Sequence, residues 1–257
     1  MLTTEVDLPK IRRLEAVSFR SLPATSTFFN GSWAVRLTQT LPAKRLNSIN
    51  PLDPRDSSNL EQRIALEMER FRRVDREMVF RLSPLAANEL TRYLQSSNWT
   101  SFDPSIVMTL NLDQMHMDQT IDRLPFKDVQ IWVDEVLELG NQNRDIKFGN
   151  IELIRSIESN TGLFLLRDEN GSPLCALRVV IDNDLVGLFS LVTSTAKKRQ
   201  GLASSLLSSA LSWARQQGAR TAWLQVESAN TPAITLYKKF GFHEAYEYVY
   251  ARPPKQD

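Results

Sequence analysis

The sequence predicts a mixed α/β chain of the α+β type, on three observations. Short apolar runs with strand character alternate with segments whose apolar residues recur at helical spacing. The junctions carry turn formers, among them Asn98-Trp99, Asn170-Gly171 and Asp182-Asn183-Asp184. No low-complexity segment interrupts the alternation. With 257 residues, 42% of them hydrophobic, the chain can bury a core of ordinary size, as one large domain or two small ones.

Taken in order, Ser58-x-x-Glu61 has the form of a capping box. Leu60, Ile64, Met68 and Phe71 follow it at helical spacing, which predicts a helix over 58–73. Residues 78–82 read as a strand, Pro84 opens a short helix through Tyr93 and Leu94, and 105–112 read as a strand. Val129, Trp132, Val133, Val136 and Leu137 mark an amphipathic helix that Gly140 would stop. A weaker helix covers 151–159. Three strands follow, over 163–167, 174–181 and 185–193. The next helix, 202–217, carries Leu206, Leu207, Ala210, Leu211 and Ala214 on one face and meets Gly218. A strand over 222–227 leads to a helix with Thr231 at its cap and Pro232 first, a favoured place for proline. Gly241 ends that helix, and a last strand covers 244–250.

Lys plus Arg number 31 and Asp plus Glu 30, a formal net charge of +1. That balance gives no global attraction to nucleic acid or to an anionic membrane. No stretch approaches the roughly 18 apolar residues of a membrane span, and the N-terminal segment lacks the marks of a signal peptide. The single cysteine, Cys175, excludes an intrachain disulfide and fits a reducing compartment. The expectation is a cytoplasmic protein without a membrane or nucleic-acid partner, with self-association left open. Two histidines, His116 and His243, and one cysteine supply no metal constellation and little material for a nucleophilic triad.

The segment GLFSLVTSTAKKRQGLASSLL reads as strand, polar loop, glycine, helix. A loop entering a helix N-terminus presents unpaired N–H groups and the positive end of the helix dipole, which makes an anion site. Gly201 and Ala203 lack bulk, so a phosphate can approach the main chain. Lys197, Lys198 and Arg199 add positive charge. Taken alone, the segment reads equally as a solvated basic loop.

From Leu163 to Tyr250 the chain resembles the GNAT acetyltransferase family. The pyrophosphate loop of that family, Gln/Arg-x-x-Gly-x-Gly/Ala, is matched by Lys198-Arg199-Gln200-Gly201-Leu202-Ala203, which departs at its first residue but keeps the charge. The second marker is WLQVESANTPAITLYKKFGF, with Asn230 and Tyr237 seven residues apart and Gly241-Phe242 at its end. The resemblance implies a GNAT acyl-CoA N-acyltransferase fold in the C-terminal half and acetyl-CoA as cofactor. It implies that the backbone of Leu191, Val192 and Thr193 pairs with the pantetheine arm. The loop Lys198, Arg199, Gln200, Gly201, Leu202, Ala203 and Ser204 would hold the pyrophosphate, and Asn230 would contact the cofactor arm. Tyr237 would act as the acid for the departing thiolate, in direct transfer to an amine of a small molecule, a protein or a peptide. Without the resemblance, Tyr237 at helical spacing with Ile234 and Phe240 reads as core, Asn230-Thr231-Pro232 as a helix cap and Gly201 as a turn glycine.

The base departs from the family pattern. Several members carry Glu five residues before the Asn, where this chain has Gln225. Glu227, two residues on and on the same strand face, is the substitute; water, another carboxylate or solvent are the alternatives. The departure also motivates a second function, a non-catalytic acyl-CoA-binding module or sensor. A third is a non-acetyl acyltransferase, or a structural protein using the fold for association.

The elements of 58–112 repeat the order of those over 185–250. Domain boundaries of 1–120 and 121–257 are therefore expected, the first a degenerate GNAT-like unit and the second the catalytic one. In place of the glycine loop the first has INPLDPRDSS, whose two prolines remove donors and whose Asp53 and Asp56 oppose a pyrophosphate. It would bind no cofactor. Arg45, Asn47, Ser48 and Asn50 resemble an Arg-x-Asn-Ser motif of family members with such an extension. They would either face the acceptor or organise a loop.

Overall fold

A computed structural model describes residues 6–115 and 123–254; His116 lies outside them. The elements in chain order are helix α1 (Leu8–Ser21), strands β1 (Ser26–Asn30), β2 (Trp33–Leu37) and β3 (Ser48–Pro51), helix α2 (Leu60–Arg72), strand β4 (Phe80–Leu82), helix α3 (Asn88–Ser96) and strand β5 (Thr100–Asn111). Then come helices α4 (Val129–Leu139) and α5 (Lys147–Arg155), strands β6 (Asn160–Arg167), β7 (Pro173–Asp182) and β8 (Leu185–Thr193), helix α6 (Leu202–Gln216), strand β9 (Thr221–Glu227), helix α7 (Thr231–Lys239) and strand β10 (His243–Arg252). The mixed α/β class expected from the sequence is what forms. Among the described residues no helix is long and apolar enough to cross a membrane.

The chain forms two compact units. The first takes Met1–Val107, Val226–Thr231 and Glu244–Asp257. Its strands lie in the order β1-β2-β3-β4-β10-β5, with β1-β2, β2-β3 and β4-β10 antiparallel and β3-β4 parallel. Trp33, Phe71 and Phe80 fill its core, with Trp33 edge-on to Phe80 at 5.1 Å between ring centres. The start of α1 is fixed by Asp7, whose carboxylate accepts the Lys10 amide at 2.9 Å. Ile11, Leu14 and Val17 then bury one stripe of the helix. On that stripe Glu15 is also buried. It accepts the Tyr246 hydroxyl at 2.5 Å and the Arg81 guanidinium, which lies 3.7 Å over the Tyr248 ring.

The second unit takes Met108–Gln225 and Pro232–His243. Its strands lie in the order β5-β9-β8-β7-β6, with β8 and β9 parallel and the β6-β7-β8 meander antiparallel. On β6, Leu163 joins the α4–α5 cluster while its neighbour Phe164 meets Trp213 of α6 edge-on at 5.7 Å. Adjacent strand residues point to opposite faces, so α4–α5 and α6 cover the two sides of the sheet.

The repetition expected from the sequence appears in the element order. Each half runs through three antiparallel strands, a loop, a helix, a strand parallel to the third, a second helix and a closing strand. Two local expectations are corrected. The capping box at Ser58 does not form: α2 begins at Leu60 behind Asn59 at φ 51°, with no side-chain cap. Arg63 folds back instead, bonding Asp56 at 2.8 Å and the Ser58 carbonyl at 3.2 Å, and it stacks 3.7 Å over Trp33. Gly140 does stop α4, as its C-cap, at φ −85°, and the left-handed residue is the next one, Asn141, at φ 47°. The strand expected over 105–112 begins earlier, at Thr100.

Candidate active site

The site is built on β8. Its parallel register with β9 runs from Leu185↔Thr221 to Leu188↔Leu224, although both strands continue, to Thr193 and Glu227. On its other side β8 bulges against β7: Ala176 pairs with Val192 but Arg178 pairs with Phe189. Leu177 therefore faces two residues, Ser190 and Leu191, and Ser190 takes φ 54°. The bulge turns the last residues of β8 away from the register with β9. Leu191, Val192 and Thr193 lie half-buried in this stretch, with backbone polar groups that a further extended segment could pair.

The loop after β8 is pinned where it leaves the strand. The Ser194 amide donates to the Leu174 carbonyl at 2.9 Å and the Lys197 amide to Ser194 at 3.0 Å. Arg199 and Gly201 then take φ 62° and 79°. A Cβ on Gly201 would meet nothing within 4 Å, so glycine is favoured there by backbone conformation alone, and the space in front of it is open. Gly201 is the N-cap of α6 and no side chain caps it. The first intrahelical bond is Ser205 to Gly201 at 2.9 Å, which leaves the amides of Leu202, Ala203 and Ser204 without a partner in the helix. Lys198, Arg199 and Gln200 are exposed beside them. Open amides, a helix dipole and cationic side chains fit a pyrophosphate.

Tyr237, on α7, is 8% exposed and packs edge-on to Phe242 at 5.7 Å. The Phe242 amide donates to the Tyr237 carbonyl at 3.0 Å, so the Gly241-Phe242 pair seats this tyrosine. Asn230 is exposed, and its amide donates to the Glu227 carbonyl at 2.8 Å, closing the turn between β9 and α7. Along β9, Leu224 and Val226 are buried while Gln225 is half-buried and Glu227 exposed, as one face in and one face out require. Burial pushes the pKa of the Cys175 thiol up, which disfavours the thiolate, and its sulfur lies 3.3 Å from the Thr193 hydroxyl. His243 opens β10 at the surface, 3.3 Å from the Thr109 hydroxyl.

In the first unit, Asn47 accepts the Thr38 amide at 2.8 Å and donates to the carbonyls of Leu41 and Ala43. Asn50 donates to the carbonyls of Ala34 and Ser48. Both asparagines organise the strand connections. Asp56 is held by Arg63 and Ser32, and Asp53 by Arg55.

One feature of the second unit escapes the reading from sequence. Behind the β8 bulge, α4 and α5 enclose a cavity of about 300 Å³, bounded by Trp132, Leu137, Ile154, Leu191 and Arg178. Arg178 is 4% exposed, and its Nε and Nη1 have no hydrogen-bond partner. The signal in the sequence was an arginine inside the apolar run 174–181.

A family model described as "Probable histone acetyltransferase Rv0428c C-terminal" matches residues 9–251. The Bacillus subtilis protein named "Uncharacterized N-acetyltransferase YobR" is 26% identical over 251 residues, 95% of this chain and 98% of that one. The ribosomal protein bS18-alanine N-acetyltransferase of Escherichia coli K12 is 37% identical over 68 residues, 26% of this chain and 45% of its own length. Among solved structures, a GCN5-related N-acetyltransferase from Kribbella flavida superposes with a TM-score of 0.70 at 16% identity, covering 95% of this chain and 96% of that one. A tandem GNAT protein from the clavulanic acid biosynthesis pathway gives 0.62 at 14% identity, covering 95% and 89%. These two likenesses show the fold, and the match over 9–251 shows the family. The chain belongs to the GNAT N-acetyltransferases, in the group that this model describes, and is an acyltransferase.

Proposed function

We propose that the chain moves an acetyl group from acetyl-CoA to an amine by direct transfer in a ternary complex, in the cytoplasm. The observation that carries this reading is the conjunction on one strand of the β8 bulge, the β8–β9 register ending at Leu188↔Leu224, and the uncapped start of α6 at Gly201. In this reading the backbone of Leu191, Val192 and Thr193 pairs with the pantetheine arm. Lys198, Arg199 and Gln200 and the amides of Gly201, Leu202, Ala203 and Ser204 hold the pyrophosphate, and Asn230 orients the arm. A main-chain N–H at Val192 or Thr193 stabilises the developing oxyanion. Tyr237 gives a proton to the departing thiolate, and Glu227 takes one from the amine. The chemistry belongs to 121–257, and 1–120 binds no cofactor. The acceptor is a small molecule or a protein or peptide amine; the Escherichia coli relative is named for an alanine of a ribosomal protein.

Calorimetric titration with acetyl-CoA tests the reading. One site per chain is expected, lost in Gly201→Glu and kept in Asp53→Asn. A hundredfold excess over Kd stabilises by about 2.7 kcal/mol. Two sites, or an unchanged isotherm in Gly201→Glu, would contradict it. Binding without turnover across a broad amine panel would instead favour a non-catalytic acyl-CoA-binding module or sensor.

A further inference from the structure

Arg178 is a buried cation, and no anion among the described residues pairs with it. It sits on β7 two residues after Ala176, on the face that α4 and α5 cover, and its guanidinium carbon lies 4.9 Å over the Phe189 ring. Burial pulls its pKa down to about 10, so it stays charged at neutral pH. Among the described residues that line the 300 Å³ cavity it is the only charged one. Of the three carboxylates of α4, Asp134 bonds Lys147 at 2.7 Å, Glu135 pairs with Arg167, and Glu138 is exposed. An unpaired buried charge is costly, and proteins retain one where a ligand completes it. The rest of the lining is mainly apolar, with Gln142, Asn150 and Ser190 as neutral polar groups.

We propose that this cavity is the acceptor subsite, and that Arg178 binds the carboxylate of a small amino acid-like acceptor whose apolar side chain lies against Trp132, Leu137 and Ile154. The proposal rests on the acyl-transfer reading, because Leu191 and Val192 form one wall of the cavity and also the stretch assigned to the cofactor arm. A guanidinium forms strong charge-assisted hydrogen bonds to a carboxylate, and no described residue accepts from Nε or Nη1 of Arg178. The size of the cavity limits the ligand to a single residue or a compound of similar bulk.

The test compares leucine with leucinamide as acceptors, at a pH where both amines are largely neutral, and N-acetylleucine with N-acetylleucinamide as ligands; the second pair carries no free amine and differs only in the carboxylate. With the wild type, the acid of each pair should bind at least tenfold more tightly than its amide, read as KM for the acceptors and as Kd by calorimetry for the ligands. Arg178→Met should keep the thermal shift with acetyl-CoA, melt higher than wild type without ligand, and bind acid and amide alike. Arg178→Lys should recover part of the preference. Equal affinity of acid and amide for the wild type would overturn the proposal without any variant having to fold, as would a preference that survives in Arg178→Met. A preference for succinyl-CoA over acetyl-CoA that Arg178→Met abolishes would put the carboxylate on the acyl donor and overturn the acceptor assignment. Failure of acetyl-CoA to bind would remove the acyl-transfer reading, while the acid–amide difference in calorimetry would still report on Arg178.

Discussion

Gly187 on β8 and Trp223 on β9 are register partners, and a Cβ at Gly187 would lie 2.7 Å from the indole Cζ2. The same Cβ would stand 2.8 Å from Phe189 Cε2. Neither ring has room to withdraw, because Trp223 is fully buried and Phe189 meets it edge-on at 5.5 Å. Gly187→Ala is therefore an overpacking substitution beside the point where the two strands part. It should cost about 1–3 kcal/mol, with a fall in Tm of roughly 2–4 °C per kcal/mol. A melting curve that superposes on the wild type would mean that the indole moves freely.

Asp56 and Arg63 give a pH-dependent contribution in the first unit. Burial pushes the Asp56 carboxyl up, but hydrogen bonds from Arg63 and Ser32 outweigh it and hold the group down, at about 2. The folded value lies below the unfolded one of 3.8, so the stabilisation is complete above the unfolded value and is lost as pH falls through the folded one. Asp56→Asn should lose on the order of 1–2 kcal/mol at neutral pH. Urea melts of both proteins between neutral and strongly acid pH should show the gap closing towards the acid end. A gap independent of pH would remove the ion pair as its cause.

Tyr237 and Glu227 divide the proposed proton traffic. Tyr237→Phe should lower kcat by about 10²–10⁴-fold with little change in acetyl-CoA affinity, since the phenol acts when the thiolate leaves. The ring packing on Phe242 survives that substitution, so stability should hold. Glu227→Gln should lower kcat and flatten its pH profile, while Gln225→Ala acts mildly. Equal and small effects at 225 and 227 would assign the proton to solvent.

The strands and helices after residue 58 were largely legible, because apolar periodicity and turn residues coincide there. Strand 185–193 has the bounds read from sequence, since a polar loop closes each end. The first 57 residues were not legible. Strand β1 is mostly exposed and β2 is buried along its whole length, so neither shows an alternating pattern. The loop proposed to hold the pyrophosphate could be read because its chemistry is local: a basic stretch, a glycine and a helix start. Arg178 could not, because its meaning depends on helices α4 and α5, about twenty to fifty residues earlier in the chain, closing over β7. The strand membership of the first unit was likewise invisible, because it joins residues more than 160 positions apart, as Leu82↔Val249 illustrates.

That long-range pairing predicts how the chain responds to being cut. Strand β10 hydrogen-bonds β4 through Leu82↔Val249, Arg81↔Tyr250 and Phe80↔Ala251. It also supplies Tyr246 to buried Glu15 and the Tyr248 ring under Arg81. Residues 226–231 add the Ser228 amide, which donates to the Pro104 carbonyl at 2.8 Å. A fragment of residues 1–120 keeps the Glu15–Arg81 pair but loses these partners and leaves one edge of β4 open. Each buried polar group left unsatisfied costs about 1–3 kcal/mol, against a domain stability of about 5–15 kcal/mol. The fragment should therefore lack a cooperative thermal transition by circular dichroism, even though it contains every helix of the first unit. In the full chain, Tyr246→Phe isolates one of these terms and should lower stability by about 1–3 kcal/mol. A fragment of 1–120 that melts sigmoidally would show that β10 is dispensable to the unit, and an unchanged Tm in Tyr246→Phe would show that Glu15 is satisfied without it.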